Sequence, residues 1–431
     1  MAGLQKALNH DACLHAVVGD CSHNAPGIRA VIWWGVTRVA RIITRLNIGG
    51  PSIQAIGLTR DLTEAGYETC LIHGHLGEGE GDMTRLRPIS ADRAVYIEAL
   101  VRPVSPFKDV RAFWRIYKTL LQWKPDIVHT HQAKAGTLGR LAALAYNSTP
   151  KRVGKARLIH TYHGHVFEGY FRPAVTRVFL MIERWLARHT DVLIAVSPEI
   201  GNDLLSTYGI AHSQQVRIVP LGFNLDGLLA LSHTDRVAAR QRLSIAEDAI
   251  VVTTVGRLTA IKHHAAFIDM AARLQQKSSR FVFLIAGDGE LRSDLERQAS
   301  DRRVDRSLRF MGWQGDLEQL YAATDIFVLT SRNEGTPVAL IEAMAAGLAT
   351  VSTDVGGVRD VITSPNLGTV VRAGDTSALV EAVAEFAEDP ARCRKAGLEA
   401  RTSVRERFHV RRLLDDIAHL YHEVLSHSRS S

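Results

Sequence analysis

Cysteine is scarce in this chain, with four in 431 residues, at positions 13, 21, 70 and 393 and in no regular spacing. That argues against a disulfide framework and for a reducing, cytoplasmic setting. Long apolar runs are missing as well. No stretch reaches the roughly 18 to 20 residues that span a bilayer, so no transmembrane helix is expected. The net charge is +7, which calls for an anionic partner. A helix-turn-helix, a zinc module and a basic tract interleaved with aromatics are all absent, so nucleic acid is not that partner. Residues 1–37 lack the basic, apolar and cleavage-site order of a secretory signal and read as a loose leader. Its His10, Cys13, His15, Cys21 and His23 do not follow a familiar zinc spacing and are taken as incidental, with no metal assigned.

What is present is alternation. The length predicts two domains, and 46% hydrophobic with 6% aromatic residues suits an α/β protein. Strand-like runs at 39–46, 68–74, 126–131, 157–164, 191–197 and 216–222 are separated by helical patterns. After a polar passage the pattern restarts with runs at 250–257, 280–289, 307–313, 325–331 and 348–357. This is the signature of parallel sheets with crossover helices. We expect a first doubly wound, Rossmann-like domain over 38–222, a linker with a short helix over 223–249, and a second such domain over 250–409. A terminal helix over 410–431 would pack back on the first domain. Two such domains facing one another enclose a cleft between their strand ends.

The motifs fall at those ends. In "SRNEGTPVALIEAMAAG" a strand runs through a tight loop into a helix, with Pro337 suited to its first turn. Val338, Ile341 and Ala345 recur at helical spacing, which leaves Glu342 on another face, toward the loop end of the strand. Glu334 precedes the helix. Two readings stand for this pair of carboxylates: helix capping and solvation, or ligand binding. In "VGRLTAIKHH", Arg257 follows a strand and Lys262 approaches a helix N-terminus, a pairing that suits phosphate but is also commonplace. "AGDGELR" lacks the full dinucleotide fingerprint and reads as turn chemistry. Gly49 and Gly50 in "LNIGGPS" allow close backbone approach to a ligand or simply make a tight turn. His163 and His165 in "TYHGH" are strand-end histidines, structural or catalytic. The stretches 107–124 and 171–189 are basic amphipathic helices with Trp and Phe; each is either a face for an anionic membrane or a core-facing helix with a solvated basic edge.

Taken in order, the Gly49-Gly50 loop, "THQAKAGTLGRLAA", "TYHGHVFEG", "VGRLTAIK", "EGTPVALIE" and "DVGGVRD" resemble the family-4 retaining glycosyltransferases of GT-B fold over residues 38–410. The resemblance implies a nucleotide sugar, UDP-linked by preference and GDP-linked as runner-up, held on the second domain. It places Arg257 and Lys262 on the diphosphate, Glu342 on the ribose hydroxyls, and Glu334 on the donor sugar beside Gly335, Thr336, Pro337 and Val338. Gly49 and Gly50 would approach the donor, and His163 would reach it from the first domain. The acceptor would be a saccharide or lipid-linked saccharide bound around 74–92 and 163–171, with the enzyme cytoplasmic or peripheral on the inner membrane face. The resemblance also implies same-face attack assisted by the leaving phosphate. Without an Asp-x-Asp strand end, neither metal nor other cofactor is expected. One departure is His263, where the family frequently has glycine. The rival readings are a sugar-nucleotide epimerase or hydrolase on the same fold, and a non-catalytic sugar-nucleotide-binding subunit. The second should have lost some of His163, Arg257, Lys262, Glu334 or Glu342, and all five are present.

Overall fold

The computed structural model describes residues 36–78, 80–150, 154–164 and 173–426. The expected leader up to residue 35, with its histidines and cysteines, lies outside them, as do His165, the acceptor stretch 165–171 and the last five residues.

Seven strands form the first sheet: β1 (Arg38–Ile43), β2 (Glu68–Gly74), β3 (Ala94–Ile97), β4 (Ile127–His131), β5 (Arg157–Tyr162), β6 (Val192–Ala195) and β7 (Val216–Ile218). Six form the second: β8 (Ile250–Val255), β9 (Phe281–Ala286), β10 (Leu308–Gly312), β11 (Ile326–Leu329), β12 (Ala349–Thr353) and β13 (Thr369–Val371). The strand orders are 3-2-1-4-5-6-7 and 10-9-8-11-12-13, and every ladder described is parallel. Each order reverses once, beside β1 and β4 in the first sheet and beside β8 and β11 in the second. Those crevices are where open α/β sheets bind ligands. The apolar runs identify eleven of these strands; β3 and β13 escape because they are short edge strands without a continuous buried run.

The passage after β7, expected as a linker with a short helix, carries two helices. It folds as helices Asp226–Ala230 and His233–Arg242, the latter closed by a capping box between Ser232 and Asp235. The chain crosses between the sheets at Phe223 and again at His409, and the two crossings pair, with Phe223 N–H donating to Phe408 O and Val410 N–H to Phe223 O, both at 2.8 Å. Beyond the second crossing, helix Val410–Ser426 lays Leu413, Ile417, Leu420, Tyr421 and Val424 among Val39, Ile127, Ile159 and Ile194 of the first sheet. An apolar cluster runs from Tyr162 and Leu193 of the first sheet to Leu329 and Ile341 of the second, so the two halves share a core on one side of the strand ends.

The two basic helices resolve in an informative way. Helix Pro106–Trp123 buries only Ala112, Ile116 and Leu120, while Phe107, Val110 and Trp114 are exposed at helical spacing. Helix Pro173–Ala187 likewise exposes Val178, Met181 and Trp185. The first helix thus has the core-facing side expected of it, through Ala112, Ile116 and Leu120, and both helices also carry apolar residues that face water.

Candidate active site

The loops after β8 and β11 sit side by side at the reversal of the second sheet and are laced together. Arg332 N–H donates to Ile261 O at 2.8 Å, and the Thr330 hydroxyl to Lys262 O at 3.1 Å. On this frame Lys262 Nζ donates to Glu334 Oε1 at 2.6 Å and Ser331 Oγ to the same oxygen at 2.5 Å. Glu334 is buried, and helix Val338–Ala345 has no side-chain cap. Glu334 therefore caps no backbone N–H of that helix; a cation and a hydroxyl hold it through Oε1. The pairing also means that Lys262 divides its charge between Glu334 and any bound anion. Arg257 differs, being exposed and, among the described residues, without a side-chain partner. Its loop is strapped from below by the "AGDG" turn, whose Asp288 carbonyl accepts from Leu258 N–H at 3.0 Å. His263, at the family's frequent glycine position, has φ +50°. The backbone there must be left-handed, a conformation histidine tolerates better than most side chains.

A third loop, after β12, closes on the second. Gly357 N–H donates to Glu334 O at 3.1 Å. A Cβ at Gly356, where φ is +45°, would stand 1.9 Å from Glu334 O, and one at Gly357 2.1 Å from Gly335 O. Only glycines let these backbones meet, which accounts for "DVGG" opposite "EGTP".

Glu342 lies one helical step further in, half-buried, with the Tyr321 hydroxyl 3.2 Å from its Oε2 and equally 3.2 Å from Ala339 O. Burial pushes the carboxyl from 4.5 up to about 7, against the opposing pull of the Tyr321 hydrogen bond and of the Arg87 charge from the first domain. Because the folded value is raised, the folded state holds an extra proton between pH 4.5 and about 7. The stability due to this group is full below 4.5 and declines as pH rises to about 7. If the ionised form holds ribose hydroxyls, UDP affinity should fall by up to about tenfold per pH unit below about 7, with proton release on binding. Calorimetry in buffers of different ionisation enthalpy measures both, and Glu342→Gln should abolish the proton release.

From the first domain, His163 follows β5, and its backbone approaches the loop after β11: a Cβ on Gly335 would lie 3.9 Å from His163 O. Tyr162 beside it is anchored by its hydroxyl donating to Glu183 at 2.7 Å, a carboxylate paired with the buried Arg140 at 2.6 Å. His163 Nε2 is 3.0 Å from Nδ1 of His131, the last residue of β4. Burial pulls the His163 imidazole down to about 3, so it is neutral at working pH. Gly49 and Gly50 stand at the head of helix Gly50–Glu64, where Gly50 abuts Leu221 next to the crossing point. Sequence patterns alone do not single out His131, Tyr321 or Arg87. His131 does lie inside the "THQAKAG" motif, whereas no local pattern marks the other two.

The profile described as "Glycosyltransferase Family 4" matches residues 48–227, and that described as "Glycosyl transferases group 1" matches 235–403. The chain is 30% identical over 301 residues to the UDP-Gal:alpha-D-GlcNAc-diphosphoundecaprenol alpha-1,3-galactosyltransferase of Escherichia coli, covering 69% of this chain and 75% of that protein. Among solved structures, a glycosyltransferase from Rickettsia africae superposes with TM-score 0.74 at 17% identity, over 91% of this chain and 99% of that one. The Anabaena protein Alr3699/HepE in complex with UDP does so with TM-score 0.74 at 18% identity, over 90% and 100%.

Proposed function

We propose, for a chain that belongs to the family-4 glycosyltransferases of GT-B fold, that it moves a sugar from UDP to a saccharide or lipid-linked acceptor with retention at the anomeric carbon. The observation that carries this reading is the meeting of His163 with the loop Glu334–Thr336 across the cleft, beside the cations Arg257 and Lys262. One mechanism uses every group. As the glycosidic bond breaks, the sugar becomes oxocarbenium-like and the diphosphate gains negative charge. Arg257, free of other side-chain partners among the described residues, and Lys262, turning from Glu334, meet that charge, which is electrostatic stabilisation of the transition state. Glu334 Oε2 and the Gly335 and Thr336 amides fix the sugar, Glu342 fixes the ribose, and the leaving phosphate takes the acceptor proton on the same face. These protein cations are the basis for proposing that no divalent ion is required. UDP as the nucleotide and a lipid-linked acceptor are supported by what the Escherichia coli relative is named for. The test is UDP release from UDP-hexoses with and without lipid-linked saccharides, in EDTA, with the product's anomeric coupling read by NMR. Acceptor-independent release indicates a hydrolase, and an inverted product rejects the retaining assignment.

The exposed stripes on helices Pro106–Trp123 and Pro173–Ala187 support peripheral docking on an anionic membrane. Lys108, Arg111, Arg115 and Arg177 are exposed on the same helices, and Trp at such a boundary suits the headgroup level. No described helix is long and apolar enough to cross a membrane. Binding to phosphatidylglycerol vesicles should weaken steeply as salt rises, since screening shortens the reach of surface charge to about 8 Å at 0.15 M. Phe107→Ser with Trp114→Ser should lose vesicle binding but keep turnover on a water-soluble acceptor. Sedimentation with vesicles reads this, and equal binding by variant and parent would remove the membrane face.

A further inference from the structure

Arg257 and Lys262 stand at opposite ends of one loop, residues 256–262, between β8 and helix His264–Lys277. Backbone bonds pin the near end: Gly256 N–H donates to Ala286 O at 2.9 Å, Leu258 N–H to Asp288 O at 3.0 Å, and Thr259 N–H back to Arg257 O at 2.8 Å. The far end is tied to the neighbouring loop through Ile261 O and Lys262 O. Among the described residues, the side-chain hydrogen bond that joins one end to the other comes from His264. This residue opens the helix directly after the left-handed His263 and is 3% exposed. Its Nε2 lies 3.3 Å from Arg257 O. The Lys262 stem returns toward the same end, since a Cβ on Gly256 would stand 3.5 Å from Lys262 Cδ.

The partner decides the tautomer of His264. Burial pulls the imidazole down to about 4, against the opposing pull of the Arg257 and Gly256 carbonyls, so the ring is neutral at working pH and carries one N–H. A carbonyl oxygen only accepts, which puts that hydrogen on Nε2. The other tautomer would set a nitrogen lone pair against the carbonyl and leave an N–H at Nδ1, which is buried without a partner. Those are two penalties at once, and an orphaned N–H is the rarest of unsatisfied groups. With the hydrogen on Nε2, the unpartnered atom is only a lone pair. Arg257 O accepts twice, from Thr259 N–H within the turn and from the helix, as its two lone pairs allow.

We infer that His264 is a positioning residue: by donating Nε2–H to the Arg257 carbonyl it fixes the span between Arg257 and Lys262, so that both cations meet one diphosphate. This rests on the reading of the two cations as diphosphate-binding. His264 acts through the loop, so its loss is felt by a ligand that carries the diphosphate and not by one that lacks it.

The experiment uses the full-length enzyme and two ligands, UDP and uridine. In ¹⁵N-histidine-labelled protein, long-range ¹H–¹⁵N spectra should show His264 protonated on Nε2. His264→Phe keeps a ring but removes the donor. Its Kd for UDP should rise about five- to tenfold, as for one lost hydrogen bond, with the Kd for uridine unchanged. His264→Gln, whose amide nitrogen lies as far along the side chain as Nε2, should restore UDP affinity, whereas the shorter His264→Asn should not. Nδ1 protonation, unaltered UDP affinity in His264→Phe, equal losses for UDP and uridine, or no difference between folded Gln and Asn variants would each overturn the inference. Should the Phe variant fail to fold, the spectrum and the contrast between Gln and Asn decide it. If Arg257→Ala and Lys262→Ala both bind UDP as the parent does, the diphosphate reading fails instead, while the spectrum still tests the His264 bond.

Discussion

Arg257→Ala is expected to lower the rate of sugar transfer by about 10²- to 10³-fold, the cost of removing one donor to charge that develops in the transition state, while leaving the melting temperature where it was. The second half of that expectation follows from the structure. Arg257 is exposed and, among the described residues, bonds through its side chain to nothing, so its removal breaks no contact of the resting fold. Its backbone is held independently by the Leu258–Asp288 and Thr259–Arg257 hydrogen bonds. Arg257→Lys should recover part of the rate, because a compact ammonium replaces charge but not the bidentate fork. Stopped-flow or coupled UDP-release kinetics beside a thermal melt measure both quantities. A large drop in melting temperature, or a rate within threefold of the parent, would show that Arg257 serves the fold or nothing at all.

The second large effect concerns the ion pair of Lys262 and Glu334, which the family resemblance assigns to two different groups of the ligand. Lys262→Ala should weaken UDP by about 10- to 150-fold, corresponding to 1.5–3 kcal/mol for a charged hydrogen bond. It should also lower stability, because Glu334 is buried and loses the one cation paired with it among the described residues, keeping just the Ser331 hydroxyl. A buried charge stripped of its partner is strongly destabilising. Glu334→Ala should behave oppositely toward the nucleotide. It frees Lys262 for the diphosphate, so UDP affinity should hold or rise, while kcat falls about 10²-fold because the sugar is no longer aligned for attack. The double variant should be more stable than Lys262→Ala alone, with a coupling of about 0.5–3 kcal/mol. Denaturant melts and UDP calorimetry on the four proteins complete the cycle. Strict additivity, or parallel loss of UDP affinity in both single variants, would contradict the shared-cation arrangement.

Much of this enzyme is legible in its sequence. Eleven of the thirteen strands among the described residues announce themselves because a parallel strand buried on both faces must be a short continuous apolar run, and the loops follow because Gly and Pro punctuate them. His163, Arg257, Lys262, Glu334 and Glu342 can be picked out because each sits close to the end of such a strand or in the helix that follows it, and the order of the motifs carries the family. His263 shows how far local chemistry reaches: a departure visible in sequence proves to be a left-handed residue, a conformational demand that a single position can express.

What the chain alone determined, then, was everything that depends on neighbours along the backbone: periodicity, strand ends, turn chemistry and hence the fold class and the family. What only tertiary structure decided depends on partners far apart in sequence. Lys262 and Glu334 are 72 positions apart, His131 and His163 are 32, and Tyr421 bonds to His129 from 292 residues further along. Register and crossover path bring these groups together, and no local pattern encodes either. The same holds for helices Pro106–Trp123 and Pro173–Ala187. An amphipathic stripe is written in the sequence, but whether core or water meets it is settled by how much apolar face the sheet beneath has already covered.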